Sequence, residues 1–160
     1  MSLIEAKLDE LGLVLPPAMD PPAGVRLPFS FARVAGDRVY IAGHGPQTPG
    51  GSFAPTLGKV GAEVSLEEAY QAARLTALSI LGTLKRELGD LDRVTRWLRV
   101  FGMVNSAPGF IEQPSVINGF SDLILELYGP EAGQHVRSAV GLAELPFGIP
   151  VEIEAEAAIG

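Results

Sequence analysis

The 160-residue sequence predicts an α+β fold in which two helices pack on one mixed sheet. After an N-terminal helix, strand-like and helical patterns follow one another in the order ββαβαββ, and no internal repeat or linker interrupts them. The hydrophobic fraction of 47% is sufficient for one core in a chain of this length. We therefore expect a single domain over residues 1–160, in which residues 1–28 form an N-terminal extension of a helix and a connector.

Local signals predict the first elements. Ser2 and Glu5 have the capping-box spacing, and a short amphipathic helix follows them. Four prolines between residues 16 and 22 favour an extended connector, because proline lacks an amide donor and keeps its predecessor out of the helical region. Residues 29–34 and 38–43 are strand-like and flank a short Ala-Gly-Asp turn, which predicts an antiparallel hairpin.

The middle of the chain alternates a loop, a long helix and a strand. Residues 43–61 are rich in glycine and proline and are predicted to form a long surface loop. A second capping box at Ser65 begins a helix of about 24 residues, whose stripe of small apolar side chains indicates close packing on a sheet. Residues 94–104 are strand-like, with apolar side chains at both parities. One face should therefore meet the helices and the other a second subunit, unless Arg96 and Arg99 reach solvent there.

The last part of the chain is predicted to contain one helix and two strands. A broad apolar face indicates a helix over residues 111–128, which Gly129 and Pro130 should end. The closing segment suggests two strands, at residues 136–143 and 151–157, on either side of a Pro/Gly turn.

Charge and composition exclude several classes of function. The net charge of −7 and the absence of a basic run disfavour nucleic acid as a partner. Without cysteine there is no disulfide, thiolate nucleophile or thiolate metal site. The two histidines lie on separate segments and no nucleotide-binding fingerprint occurs, so neither a metal nor a cofactor is expected. The charged N-terminus and the lack of a long apolar run predict a cytoplasmic chain without a membrane partner.

Two residues, Arg137 and Glu152, are candidates for chemistry on their own merits. Arg137 opens the first closing strand beside small residues, and its planar fork could hold a carboxylate. For an isolated arginine, however, a surface ion pair with a cross-strand glutamate is the commoner arrangement. Glu152 belongs to an alternating row of glutamates that could act in acid/base chemistry or form a solvated strand face. Asn118 could be a surface amide of its helix.

The closing segment also carries a resemblance. Its pattern R-S-A-V-x-x-x-x-L-P-x-x-x-x-V-E-I-E-A resembles the C-terminal signature of the Rid family, the YjgF-type reactive intermediate deaminases also called L-PSP endoribonucleases. The similarity extends over roughly residues 29–159 and includes Asn118 in the segment V-I-N-G-F. It implies a chorismate-mutase-like fold, a barrel-like homotrimer and clefts between subunits that bind small carboxylates.

The resemblance also implies an activity and a set of site residues. In such proteins 2-imino or enamine acids are hydrolysed to 2-oxo acids and ammonia without a cofactor. Arg137 would hold the substrate carboxylate and Glu152 would position the water. The same comparison places further residues around the substrate: Phe29, Gly43, His44, Asn118 and Ala139.

Some of these positions depart from the family pattern. Phe29 lacks the hydroxyl of the usual tyrosine, His44 follows Ala42-Gly43 where Ser-Gly-Gln is common, and Ala139 replaces a frequent cysteine. These departures indicate a divergent branch. Deamination is the leading hypothesis, a non-catalytic carboxylate-binding trimer of the same fold is the alternative, and ribonuclease activity ranks last because the chain is acidic.

Overall fold

The computed structural model describes residues 2–160 and contains one five-stranded sheet. The strands are β1 (Ala32–Ala35), β2 (Arg38–His44), β3 (Val94–Asn105), β4 (Val136–Leu142) and β5 (Val151–Ile159). Their order across the sheet is β1-β2-β5-β3-β4, in which only β3 and β4 run parallel to each other. The predicted α+β class and the predicted order of elements are confirmed.

Three helices accompany the sheet: α1 (Leu3–Glu10), α2 (Leu66–Leu88) and α3 (Gln113–Ala132). Ser65 and Glu68 form both halves of the capping box of α2, which satisfies two amides at its N-terminus. In α3 the backbone leaves the helical conformation at Gly129, where φ is 78°, so the break falls where the Gly-Pro pair predicts it.

The core lies between the sheet and helices α2 and α3. Trp97 and Phe120 are fully buried there and meet edge to face at 5.8 Å. A Cβ at Gly119 of α3 would overlap the carbonyl oxygen of Tyr70, so this glycine lets the two helices cross closely. Among residues 2–160, no helix is both long enough and apolar enough to cross a lipid bilayer.

Strands β4 and β5 do not pair with each other, contrary to the simplest interpretation of the closing segment. Strand β3 lies between them, antiparallel to β5 and parallel to β4. Toward the helices, β5 presents Ile153, Ala155 and Ala157, which suit a central strand. At the corresponding positions β4 presents Arg137 and small residues, which suit an edge.

Two β-bulges explain why apolar side chains occur at both odd and even positions of β3. The register with β5 shifts between Val94 and Arg96 and again between Trp97 and Arg99. Each bulge adds one residue, so Val94, Trp97 and Val100 are all buried toward the helices although they lie three apart. Part of the pattern that suggested two apolar faces therefore comes from bulges. Arg96 and Arg99 are exposed.

Candidate functional site

Arg137 is held against α3 by three hydrogen bonds. Its strand register pairs it with Val100, which places it on the helix side of the sheet. Nη1 donates to Ser121 Oγ at 2.9 Å, and Nη2 donates to the carbonyl of Pro114 at 3.1 Å and to Asn118 Oδ1 at 2.8 Å. These contacts use three of the five guanidinium N–H donors, so the planar group has a fixed orientation and keeps Nε–H and one N–H of Nη1 for a ligand.

A buried hydroxyl links Arg137 to a histidine. Ser121 Oγ lies 2.9 Å from Nε2 of His135, whose Nδ1 lies 2.8 Å from the carbonyl oxygen of Gly133. Because a carbonyl only accepts, we assign the proton to Nδ1, and Nε2 then accepts from the Ser121 hydroxyl. Burial lowers the pKa of His135, which favours this neutral form. The oxygen of Ser121 remains free to accept from Arg137.

The alternative of a cross-strand ion pair is not supported. The ion pairs formed within residues 2–160 do not include Arg137, and all three of its hydrogen-bond acceptors are uncharged. Burial lowers its pKa, but a guanidinium remains protonated at any physiological pH. Arg137 therefore keeps its positive charge without an internal carboxylate at salt-bridge distance.

A second group of the predicted residues lines a cavity of about 710 Å³, and the wall of this cavity also includes residues of α2. The group comprises Phe29, Gly43, His44 and Glu152. Glu152 is half-buried, and burial, with a smaller effect of Glu154, raises the pKa of its carboxyl group. A Cβ at Gly43 would lie 2.6 Å from Glu152 Oε2. Glycine at this position therefore lets the Glu152 carboxylate lie directly against the end of β2.

His44 is the last residue of β2 and is buried, so the prediction that it lies in a loop after this strand is wrong. Its Nδ1 lies 2.6 Å from the carbonyl oxygen of Ala42 and its Nε2 lies 2.8 Å from Thr83 Oγ1. Burial lowers the pKa of His44 to about 4, so the ring is neutral at pH 7. Both ring nitrogens have partners inside the chain, and the ring reaches the cavity wall beside Phe31 at 5.2 Å.

The two groups do not meet within one chain. Arg137 points to the helix side of the sheet, whereas Glu152, paired with Met103, points to the opposite side. Strands β4 and β5 are also separated by β3, a distance of about 10 Å between strand axes. Asn118 and Ala139 belong to the Arg137 side, because Asn118 bonds to the guanidinium and Ala139 follows Arg137 by two residues in β4.

Of the residues that orient these groups, the resemblance named Asn118, but sequence reasoning missed Pro114, Ser121 and Thr83. On α3, Pro114, Asn118 and Ser121 recur at intervals of four and three, which places them on one face of the helix. The polar side chains of Asn118 and Ser121 on this face were the available signal for a partner of Arg137. Thr83, which bonds to His44, had no such signal, because it lies in a continuous buried stretch of α2. Residues 2–160 contain no cluster of three His, Asp or Glu side chains placed to hold a metal ion.

Comparisons with known proteins agree with this architecture. The chain matches a family model described as "YjgF/chorismate_mutase-like, putative endoribonuclease" over residues 5–148. Protein TCP17 of Trypanosoma cruzi is 40% identical over 152 residues, which cover 95% of this chain and 91% of that protein.

Two solved structures extend the comparison. The protein Atu1372 of Agrobacterium tumefaciens is 40% identical and superposes with a TM-score of 0.87 over 99% of this chain and 93% of its own. A "putative endoribonuclease" of Shewanella oneidensis is 28% identical, with a TM-score of 0.86 over 98% and 99% of the two chains. Because the family model matches most of this chain, the chain belongs to the YjgF/chorismate-mutase-like family. This is the Rid family, whose signature the closing segment carries.

Proposed function

We propose that this protein is a cofactor-independent deaminase that hydrolyses 2-imino or enamine acids to 2-oxo acids and ammonia. The observation that carries the proposal is the division of the predicted site into two complementary halves. One half is a fixed arginine with free donors, and the other is a half-buried glutamate with a raised pKa beside a cavity. An anion holder and a general base are the two groups that hydrolysis of such an imine requires.

In the proposed reaction the two halves come from different copies of the chain. Arg137 of one copy holds the substrate carboxylate, and Glu152 of the next takes a proton from a water molecule that attacks the imine carbon. The resulting carbinolamine carries one hydroxyl and one amino group. Glu152 passes the first proton to the imine nitrogen, which completes this amino group. It then moves the hydroxyl proton to the same nitrogen, the C–N bond breaks as the C=O bond forms, and a 2-oxo acid and ammonia leave. The raised pKa of Glu152 suits both proton transfers.

We further propose that the copies form a closed homotrimer. The two halves are different surfaces, so contact between them is heterologous, and heterologous contacts end only when they close into a ring. The face of the sheet that the helices leave open supports burial against other copies, because Tyr40, Val136 and Val140 are exposed on it.

The second candidate function is binding of a small carboxylate without turnover. It is favoured by the cavity wall, where Phe29 has no hydroxyl and both nitrogens of His44 are already bonded. Glu152 would then have little help in moving protons. Ribonuclease activity has no comparable support, since the chain carries a net charge of −7.

A trapping assay separates these functions. An amino-acid oxidase generates the imine in the presence of semicarbazide, and a deaminase lowers the rate of semicarbazone formation by removing the imine first. We expect this effect from the wild type and from Arg38→Ala, which changes an exposed arginine in the hairpin. Arg137→Ala should lose both the effect and 2-oxo acid binding, whereas Glu152→Gln should lose the effect and still bind. Binding by the wild type without any effect on trapping would establish the second candidate.

A further inference from the structure

Within one chain, the cavity beside Glu152 is larger than a small imino acid requires. Its volume of about 710 Å³ falls within the range of about 300–1,000 Å³ that is typical of pockets for drug-sized ligands. A substrate with a side chain of one or two carbons would occupy only a fraction of it. Much of the wall is apolar and includes Met19, Leu27, Phe29, Phe31, Phe53 and Phe147.

The aromatic residues of the wall form two pairs. Phe29 and Phe31 meet edge to face with ring centroids 5.4 Å apart, and Phe53 and Phe147 are tilted at 5.5 Å. Phe29 and Phe147 remain about half exposed, at 54% and 47%. Ring faces and edges that are left uncovered in a cavity can pack against another ring.

Phe147 is held in an unusual conformation. Its φ of 60° makes it the non-glycine residue with positive φ in residues 2–160, within the segment Leu145-Pro146-Phe147-Gly148. A bulky residue in this region costs energy and persists only where its surroundings enforce it. The conformation directs an apolar ring into the cavity wall.

The N-terminal connector forms another wall of the cavity and is held there by hydrogen bonds. The carbonyl of Pro16 accepts a hydrogen bond from Arg86 Nη1 at 3.1 Å, and that of Pro17 accepts one from Gln47 Nε2 at 3.2 Å. A Cβ at Gly82 would lie 2.8 Å from the oxygen of Pro16, so α2 is shaped to let the connector approach. Met19 and Leu27 follow these fixed points and line the cavity.

Helix α1 anchors the connector at its other end. The carboxylate of Asp92 accepts hydrogen bonds from the amides of Leu3 at 2.8 Å and Ile4 at 3.0 Å, and Lys85 pairs with Glu5 at 2.6 Å. Ile4 and Leu8 are buried in the core. The N-terminal extension is thus held at α1 and again at Pro16 and Pro17, before the cavity-lining residues Met19 and Leu27.

We propose that the cavity receives a bulky, ring-bearing apolar side chain of the substrate, and that the N-terminal connector is a specificity element that forms one side of it. The proposal rests on the proposed function, because it takes the substrate to be a 2-imino acid whose reacting carbon lies near Glu152. It extends that function by assigning the side chain, of about the size of a benzyl group, to this cavity.

Binding of unreactive product analogues tests the assignment independently of catalysis. Calorimetry should give at least about 100-fold tighter binding for 2-oxo-3-phenylpropanoate than for 2-oxobutanoate, since each methylene in an apolar pocket changes affinity by roughly 10-fold or more. Met19→Ala and Leu27→Ala should each reduce this ratio about tenfold. The control Val14→Ala, at an exposed connector residue outside the cavity lining, should leave the ratio unchanged.

The outcomes separate the two proposals. If the phenyl compound binds tightly but the corresponding imine is not hydrolysed, the cavity assignment stands and the deaminase function fails. If small imines are hydrolysed and 2-oxobutanoate binds at least as tightly as the phenyl compound, the deaminase function stands and the assignment fails. Absence of binding of the phenyl compound, or a ratio that the two connector variants do not change, also overturns the assignment.

Discussion

Replacement of Arg137 by lysine tests whether the geometry of the guanidinium or only its charge matters. The arginine uses three N–H donors on Ser121, Pro114 and Asn118 and keeps two for a ligand. A lysine ammonium has three donors in total and no planar fork, so it cannot keep these three contacts and also donate to a carboxylate. We therefore expect Arg137→Lys to fail nearly as badly as Arg137→Ala.

The expected magnitude follows from the loss of a charged, hydrogen-bonded contact in a partly desolvated cleft. Such a loss costs about 2–5 kcal/mol, which corresponds to roughly a 30-fold to several-thousand-fold loss of affinity or rate. The variants also lose the hydrogen bonds between β4 and α3, which should lower the free energy of unfolding by about 1–3 kcal/mol. The guanidinium group is not part of the hydrophobic core, so the core should persist in both variants.

The assay combines calorimetric affinity for a 2-oxo acid with imine turnover in the semicarbazide competition. Arg38→Ala controls for the general loss of a positive charge, and light scattering with thermal unfolding checks that assembly and fold remain. If Arg137→Lys keeps affinity and turnover near those of the wild type, the requirement for a fixed guanidinium is wrong. Arg137 would then act through its charge alone, or it would only stabilise the fold.

Three further predictions concern ionisation and assembly. Because the pKa of Glu152 is raised in the folded chain, its ionisation destabilises the fold as pH rises. Glu152→Gln should therefore raise Tm at pH 7.5 and lose this advantage below pH 4.5. An equal gain in Tm at both pH values would contradict ionisation of Glu152 as the cause. Folding lowers the pKa of His44 from 6.5 to about 4, so protonation at low pH favours the unfolded chain. The free energy of unfolding should therefore decline by up to about 3 kcal/mol as pH falls from 6.5 to 4. Denaturant unfolding should show a smaller decline for His44→Gln. Light scattering at micromolar concentration should give three times the chain mass of 16.8 kDa, and a monomer mass would refute the trimer.

Elements with local signals could be predicted from the sequence. The capping box at Ser65, the Ala-Gly-Asp turn and the Gly129-Pro130 break each determine backbone geometry within a few residues, and the structure places the corresponding ends there. Pairing between distant strands has no such signal. The insertion of β3 between β4 and β5 depends on which strand faces fill the core, and the turn-like Leu145-Pro146-Phe147-Gly148 segment favoured a simpler arrangement.

The candidate site shows the same limit. The signature locates Arg137 and Glu152 on their strands, but side-chain direction depends on register and on bulges far away in the chain. His44 is instructive: a bulge in β2 between Ile41 and His44 turns its ring toward Thr83 and the core, whereas position alone suggested a residue of an open loop.

Each of the two histidines takes part in a hydrogen-bonded arrangement that fixes an arginine without using a carboxylate. Each has Nδ1 within hydrogen-bond distance of the carbonyl two residues earlier and Nε2 within that distance of a helix hydroxyl. That hydroxyl, Thr83 or Ser121, in turn accepts from an arginine, Arg86 or Arg137. A carboxylate in place of the hydroxyl would hold the guanidinium more strongly but would also neutralise it and compete with an incoming anion. Neutral acceptors fix the orientation of the arginine and leave it without a carboxylate at salt-bridge distance among residues 2–160, which favours binding of an external carboxylate at Arg137.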